Sequence, residues 1–92
     1  MLEETLNKAL PVDGERDKNL VFFSLSTCAM CKKGLRYLEE RGYAYKLLYV
    51  DQLALEEKEQ LKEELSLKYG MRMVFPALAV DDDRIVLGFI RT

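Results

Sequence analysis

The chain has 92 residues, with 14 Lys and Arg against 16 Asp and Glu, a net charge of −2, and no histidine. That length holds one domain, the charge balance gives no basic footprint for nucleic acid, and the missing imidazole excludes histidine acid–base chemistry and the commonest metal ligand. At 49% hydrophobic and 33% charged the composition is that of a folded globule, and no apolar run approaches the roughly 20 residues of a membrane-spanning helix.

Leu2, Leu6 and Leu10 recur at helical spacing, so residues 2–10 are expected to form an amphipathic helix stopped by Pro11. Residues 11–19 then read as a polar connector with a turn at Asp13-Gly14. Residues 1–19 would thus be an N-terminal helix and connector ahead of a domain over 20–92, a single domain overall. The acidic start lacks the basic and apolar regions of a secretory signal, so the expected location is the cytoplasm.

The continuous apolar run Leu20-Val21-Phe22-Phe23-Ser24-Leu25 predicts a strand buried on both faces. Ser26 and Thr27 can cap a following helix that runs to about Arg41, with Gly42 as its left-handed stop. Leu35 and Leu38 would face the core, and Lys32, Lys33, Arg36, Glu39 and Glu40 the solvent. Tyr43 to Val50 has strand composition and is closed by Asp51, which completes a right-handed βαβ unit. Residues 52–69 predict a second helix with Leu61, Leu65 and Tyr69 on its apolar stripe, a densely charged solvated face and Gly70 as its end. Met73 to Val80 and Arg84 to Gly88 read as a hairpin around Asp81-Asp82-Asp83. Three consecutive carboxylates cannot converge on a cation as a calcium loop does, so they read as a solvated turn.

The only cysteines, Cys28 and Cys31, stand in Thr27-Cys28-Ala29-Met30-Cys31-Lys32-Lys33, where the first strand gives way to the helix. A helix N-terminus presents unpaired N–H groups and the positive end of the macrodipole, both of which favour a thiolate. A thiol of pKa near 8.5 is only about 3% ionised at pH 7, and lowering it to about 6 makes it roughly 90% ionised. Residues at i and i+3 of a regular helix hold their Cβ atoms about 5–6 Å apart, whereas a disulfide needs roughly 3.5–4.5 Å. The pair can close only with Cys28 at the helix boundary. Cys28 is then the exposed nucleophile and Cys31 the more buried resolving thiol. Two sulfurs supply half a structural zinc site, so bound metal or an iron–sulfur cluster would have to bridge two chains or recruit an outside thiol. No metal ligands are assigned within the chain, and inert cysteines are the third reading.

Phe75-Pro76 is the second informative point. A proline inside an apolar strand belongs at an edge, a start or a bulge. A cis bond there would turn backbone groups outward toward an extended substrate, and from spacing alone an ordinary trans edge proline fits as well.

The order strand, Cys-X-X-Cys helix, strand, charged helix, X-Pro strand, strand and Gly88 resembles the glutaredoxin branch of the thioredoxin superfamily over about residues 20–90. The resemblance implies an α/β thioredoxin-like fold: a four-stranded mixed sheet flanked by helices, with an extra N-terminal helix of the kind many glutaredoxins carry. It implies a thiol–disulfide oxidoreductase active in electron transport and cell redox homeostasis, with Cys28 and Cys31 catalytic and Pro76 cis. Ser26, Thr27, Met30, Phe75, Pro76, Gly88 and Phe89 would contact substrate. No bound cofactor is implied; the electron source would be glutathione or a thioredoxin-reductase-type reductant. Partners would be protein disulfides or glutathionylated substrates and that reductant, with no nucleic acid, no membrane and a monomeric state. A cluster-bridging dimer and a non-enzymatic interaction module are the rival classes.

Several positions depart from the family pattern. Leu25 and Ser26 replace its usual basic residue and proline ahead of the first cysteine, and Ala29-Met30 replaces Pro-Tyr. Its Gly-Gly-X-X-Asp glutathione signature is reduced to Gly88-Phe89, which is more similar to the glutaredoxin-like hydrogen donors of ribonucleotide reductase that thioredoxin reductase feeds. The chain ends at Thr92, where family members usually continue into one more helix.

Overall fold

A computed structural model describes residues 5–81 and 84–87, with only the backbone at residues 17 and 18. Its elements are β1 (Leu10–Val12), β2 (Arg16–Ser24), α1 (Ala29–Glu40), β3 (Tyr43–Tyr49), a 3-10 turn (Val50–Gln52), α2 (Leu55–Tyr69), β4 (Ala77–Val80) and β5 (Arg84–Leu87). The strands form one sheet in the order β1-β3-β2-β4-β5. β2 and β3 are parallel, and the other neighbouring pairs are antiparallel. The architecture is the thioredoxin-like α/β fold, with five described strands where the sequence predicted four.

The additional strand corrects the reading of the N-terminus. Thr5 and Leu6 are helical, but Leu10 is extended and pairs with Leu47, and Pro11 lies opposite Lys46. A proline forces the residue before it out of the helical region, and an edge strand tolerates its missing N–H. Leu10 accordingly remains 57% exposed instead of closing an apolar helix stripe.

β2 lies at the centre of the sheet, which is why its apolar run needs no alternation. Phe22 joins Leu20, Leu38, Tyr45 and Leu47 in one cluster, whereas Phe23 joins Leu48, Val50, Leu61, Leu65 and Met73 in another. Leu38 comes from α1 and Leu61 and Leu65 from α2, so the helices cover opposite faces. β2 begins at Arg16, earlier than its apolar content suggests, and its pairing with β3 is irregular between Asp17 and Leu20, near the positive φ of Asn19. Gly42 and Gly70 end the helices at φ of 74° and 68°, a conformation glycine adopts without a Cβ penalty. β4 starts only at Ala77, so Met73 to Pro76 is a connection and not the strand the apolar pattern predicts.

Candidate active site

The topology brings three segments to one end of the sheet. β2 and β3 are parallel with Ser24 opposite Tyr49, so the loop after β2 and the turn after β3 leave on the same side. β4 is antiparallel to β2 with Ala77 opposite Phe23, so its entry through Phe75-Pro76 lies there too. The carboxyl ends of parallel strands are where α/β sheets place ligand sites.

Cys28 is the N-cap of α1, with φ −98° and ψ 124°, and its Sγ accepts the N–H of Cys31 at 3.3 Å. The cap therefore differs from the Ser26 or Thr27 expected from sequence. Ser26 is committed elsewhere: its N–H donates to Asp51 Oδ1 at 3.0 Å and its hydroxyl to Oδ2 at 2.6 Å. Cys28 is partly exposed and Cys31 fully buried, and both sulfurs are free thiols. Cys31 Sγ accepts the N–H of Leu25 at 3.3 Å.

These surroundings drive the two thiols apart. The Cys31 thiol, the Cys31 N–H and the Met30 N–H hold the Cys28 thiol below its ordinary range. Burial and the neighbouring Cys28 push Cys31 up, a rise opposed by the Leu25 N–H and the Ser24 hydroxyl. A low-pKa accessible sulfur beside a buried protonated one suits nucleophilic attack followed by resolution.

Of the remaining sequence candidates, Thr27 is exposed and Met30, in the first turn of α1, is 44% exposed. Phe75 is half-buried against the Phe23 cluster, Pro76 is buried, and the bond between them is cis. Gly88 and Phe89 lie outside the described residues. Leu25 and Asp51 also belong to the site, although the sequence does not single them out as site residues. Leu25 contributes only backbone groups, which leave no mark in a sequence, whereas an acidic residue closing the parallel neighbour of the cysteine strand was a usable signal. A cleft of about 430 Å³, lined by Glu59, Lys62, Glu63, Ser66, Arg72 and Met73, contains neither cysteine. Among the described residues no group of three or more His, Cys, Asp and Glu could hold a metal ion. None of the described helices is long and apolar enough to cross a membrane.

A dithiol at the N-terminus of the helix that follows the central strand of this fold is an arrangement suited to thiol–disulfide exchange. The glutaredoxin family model matches residues 20–85. The crystal structure of the glutaredoxin from Methanosarcina mazei Go1 superposes with a TM-score of 0.74 at 30% identity, covering 89% of this chain and 79% of that one. Methanosarcina acetivorans methanoredoxin gives a TM-score of 0.66 at 29% identity over 82% of this chain and 78% of its own. A Bacillus subtilis (strain 168) protein named N-acetyl-S-hydroxy-L-cysteine reductase is 36% identical over 56 residues, 61% of this chain and 55% of that relative, so the likeness spans little more than half of its length. The chain belongs to the glutaredoxin family.

Proposed function

We propose that this chain reduces protein disulfides and glutathione mixed disulfides through Cys28 and Cys31, in a reducing compartment such as the cytoplasm. The observation that carries the reading is the Cys28 sulfur at the cap of α1, partly exposed and holding the Cys31 N–H at 3.3 Å. In the first step the Cys28 thiolate attacks one sulfur of R–S–S–R′. A Cys28–S–S–R bond forms and R′–S⁻ leaves. Cys31 then loses its proton to water or to the departing thiolate and attacks Cys28 Sγ. R–S⁻ is expelled and a Cys28–Cys31 disulfide remains, the protein having given up two electrons.

That disulfide is returned to the dithiol by glutathione or by a thioredoxin-reductase-type flavoenzyme. Leu25 and Ser26 ahead of the motif support the second donor, because they lack the charge and shape of the family's glutathione-binding sequence. Thr27, Met30, Phe75 and Pro76 would contact the substrate, as would Gly88 and Phe89 of the family's binding segment. The name of the Bacillus relative adds an S-hydroxycysteine derivative to the substrates worth offering. There the Cys28 thiolate would form the same mixed disulfide and release hydroxide.

NADPH consumption tests the reading, with glutathione and glutathione reductase in one arm and thioredoxin reductase in the other. Each arm is offered a protein disulfide, a glutathionylated thiol and a cysteine sulfenate. At least one arm should turn over, and Cys28→Ser should abolish turnover with every substrate. Cys31→Ser should accumulate mixed disulfides on Cys28. Full dithiol activity in Cys31→Ser, or no turnover in either arm, contradicts the reading.

A further inference from the structure

Leu25 touches both cysteines through its backbone. Its N–H donates to Cys31 Sγ at 3.3 Å, and its carbonyl accepts the Cys28 N–H at 3.4 Å. That carbonyl shares a peptide plane with the Ser26 N–H, which Asp51 Oδ1 holds at 3.0 Å. The Ser26 hydroxyl closes a second bond to Asp51 Oδ2 at 2.6 Å. Two bonds from one carboxylate to one residue fix a direction as well as a distance. Asp51 is anchored in turn, because Val50, the residue before it, is fully buried in the core. The family's usual proline at position 26 has neither an N–H nor a hydroxyl, so the fork depends on the serine of this chain.

We infer that Asp51 is a positioning residue for the resolving step: by clamping Ser26 it restrains Leu25, the residue next to it, whose N–H meets Cys31 Sγ from the preceding peptide plane and stabilises the thiolate that expels the bound substrate. The inference rests on the dithiol reading above. The attacking step is less dependent on the clamp. Cys28 Sγ takes its hydrogen bond from the Cys31 N–H within α1, a bond that involves neither Leu25 nor Ser26.

A symmetric aryl disulfide whose thiolate product is coloured separates the steps in one stopped-flow experiment. Cys28 attack releases the first equivalent, and Cys31 attack on the resulting mixed disulfide releases the second. Asp51→Ala should slow the second release by about five- to tenfold, the value of one ordinary hydrogen bond lost, and the first by less than about twofold. Asp51→Asn provides the conservative test. Its amide oxygen can accept the Ser26 N–H and its NH2 can donate to the Ser26 oxygen, so both steps should stay within about twofold of the parent chain. Ser26→Ala should slow resolution in the same direction, and adding Asp51→Ala to it should cost less than the two single effects combined.

Unchanged resolution in Asp51→Ala overturns the inference, as does equal slowing of both steps. Asp51→Asn as slow as Asp51→Ala overturns it too, since charge and not geometry would then be acting. A parent chain that releases only one equivalent removes the dithiol reading and this inference together. A parent chain that releases two, with an unaffected Asp51→Ala, removes the inference alone.

Discussion

Cys28 and Cys31 carry the same side chain, one turn of helix apart, in opposite environments. Cys28 sits at the cap, where N–H groups aim at it, and Cys31 sits inside the core, where burial opposes ionisation. The largest influence lowering Cys28 is the hydrogen bond from the Cys31 thiol, ahead of the N–H contacts. Cys31→Ala should therefore raise the Cys28 pKa while stopping short of an unperturbed thiol, because the N–H of residue 31 survives the substitution. The pH dependence of Cys28 alkylation checks this, and an unmoved inflection would show that the sulfur–sulfur hydrogen bond has no influence. The pair's place at the helix boundary was legible because strand composition and Cys-X-X-Cys spacing fall within a dozen residues. The Asp51–Ser26 fork was not, since its partners are 25 residues apart and meet only through the parallel register of β2 and β3.

At the scale of elements, pattern revealed α1, α2 and the buried core of β2, where length and apolar spacing agree. It failed at β1. Three residues are too few to show strand alternation, and the leucines before them mimic a helix until Pro11 is allowed to act on Leu10. Asp13-Gly14 was expected as a turn; it lies in the β1–β2 connection and forms no turn, and the physical demand there is space. A Cβ on Gly14 would lie 2.4 Å from the Tyr43 carbonyl carbon and oxygen and 2.6 Å from the Ala44 nitrogen. The Tyr43–Ala44 peptide group cannot yield as a side chain would, so Gly14→Ala should destabilise the fold by about 1–3 kcal/mol. Urea unfolding measures this, and an unchanged midpoint would show that the β1–β2 connection shifts freely. Leu61 is 1% exposed within the cluster that holds Phe23 and Leu65. Leu61→Ala should cost about 2–5 kcal/mol in the same experiment, and a loss below about 1 kcal/mol would mean that α2 is not locked to the sheet.

Across the whole molecule, two carboxylates join segments distant in the chain. Asp51 ties the turn after β3 to the loop ahead of α1, and Glu57 on α2 takes hydrogen bonds from Lys8 Nζ at 2.7 Å and Thr5 Oγ1 at 3.4 Å. Ser26 lowers the pKa of Asp51, and Lys8 that of Glu57. A carboxyl whose folded pKa is depressed contributes stability that is present above its unfolded value and lost as pH falls through the folded one. Stability should thus decline from about pH 5 downward, as the unfolded chain takes up protons more readily than the folded one. Urea titrations at neutral and acid pH should show a shallower decline for Asp51→Asn combined with Glu57→Gln. An identical decline would place the acid sensitivity elsewhere.

The most direct test of the central claim is the alkylation rate of the intact reduced chain as a function of pH, with the modified residue identified by peptide mapping. Modification should begin at Cys28, with an inflection clearly below the ordinary thiol value of about 8.5, while Cys31 remains protected. An inflection at or above that value, or Cys31 reacting first, would contradict the assignment of Cys28 as the activated sulfur.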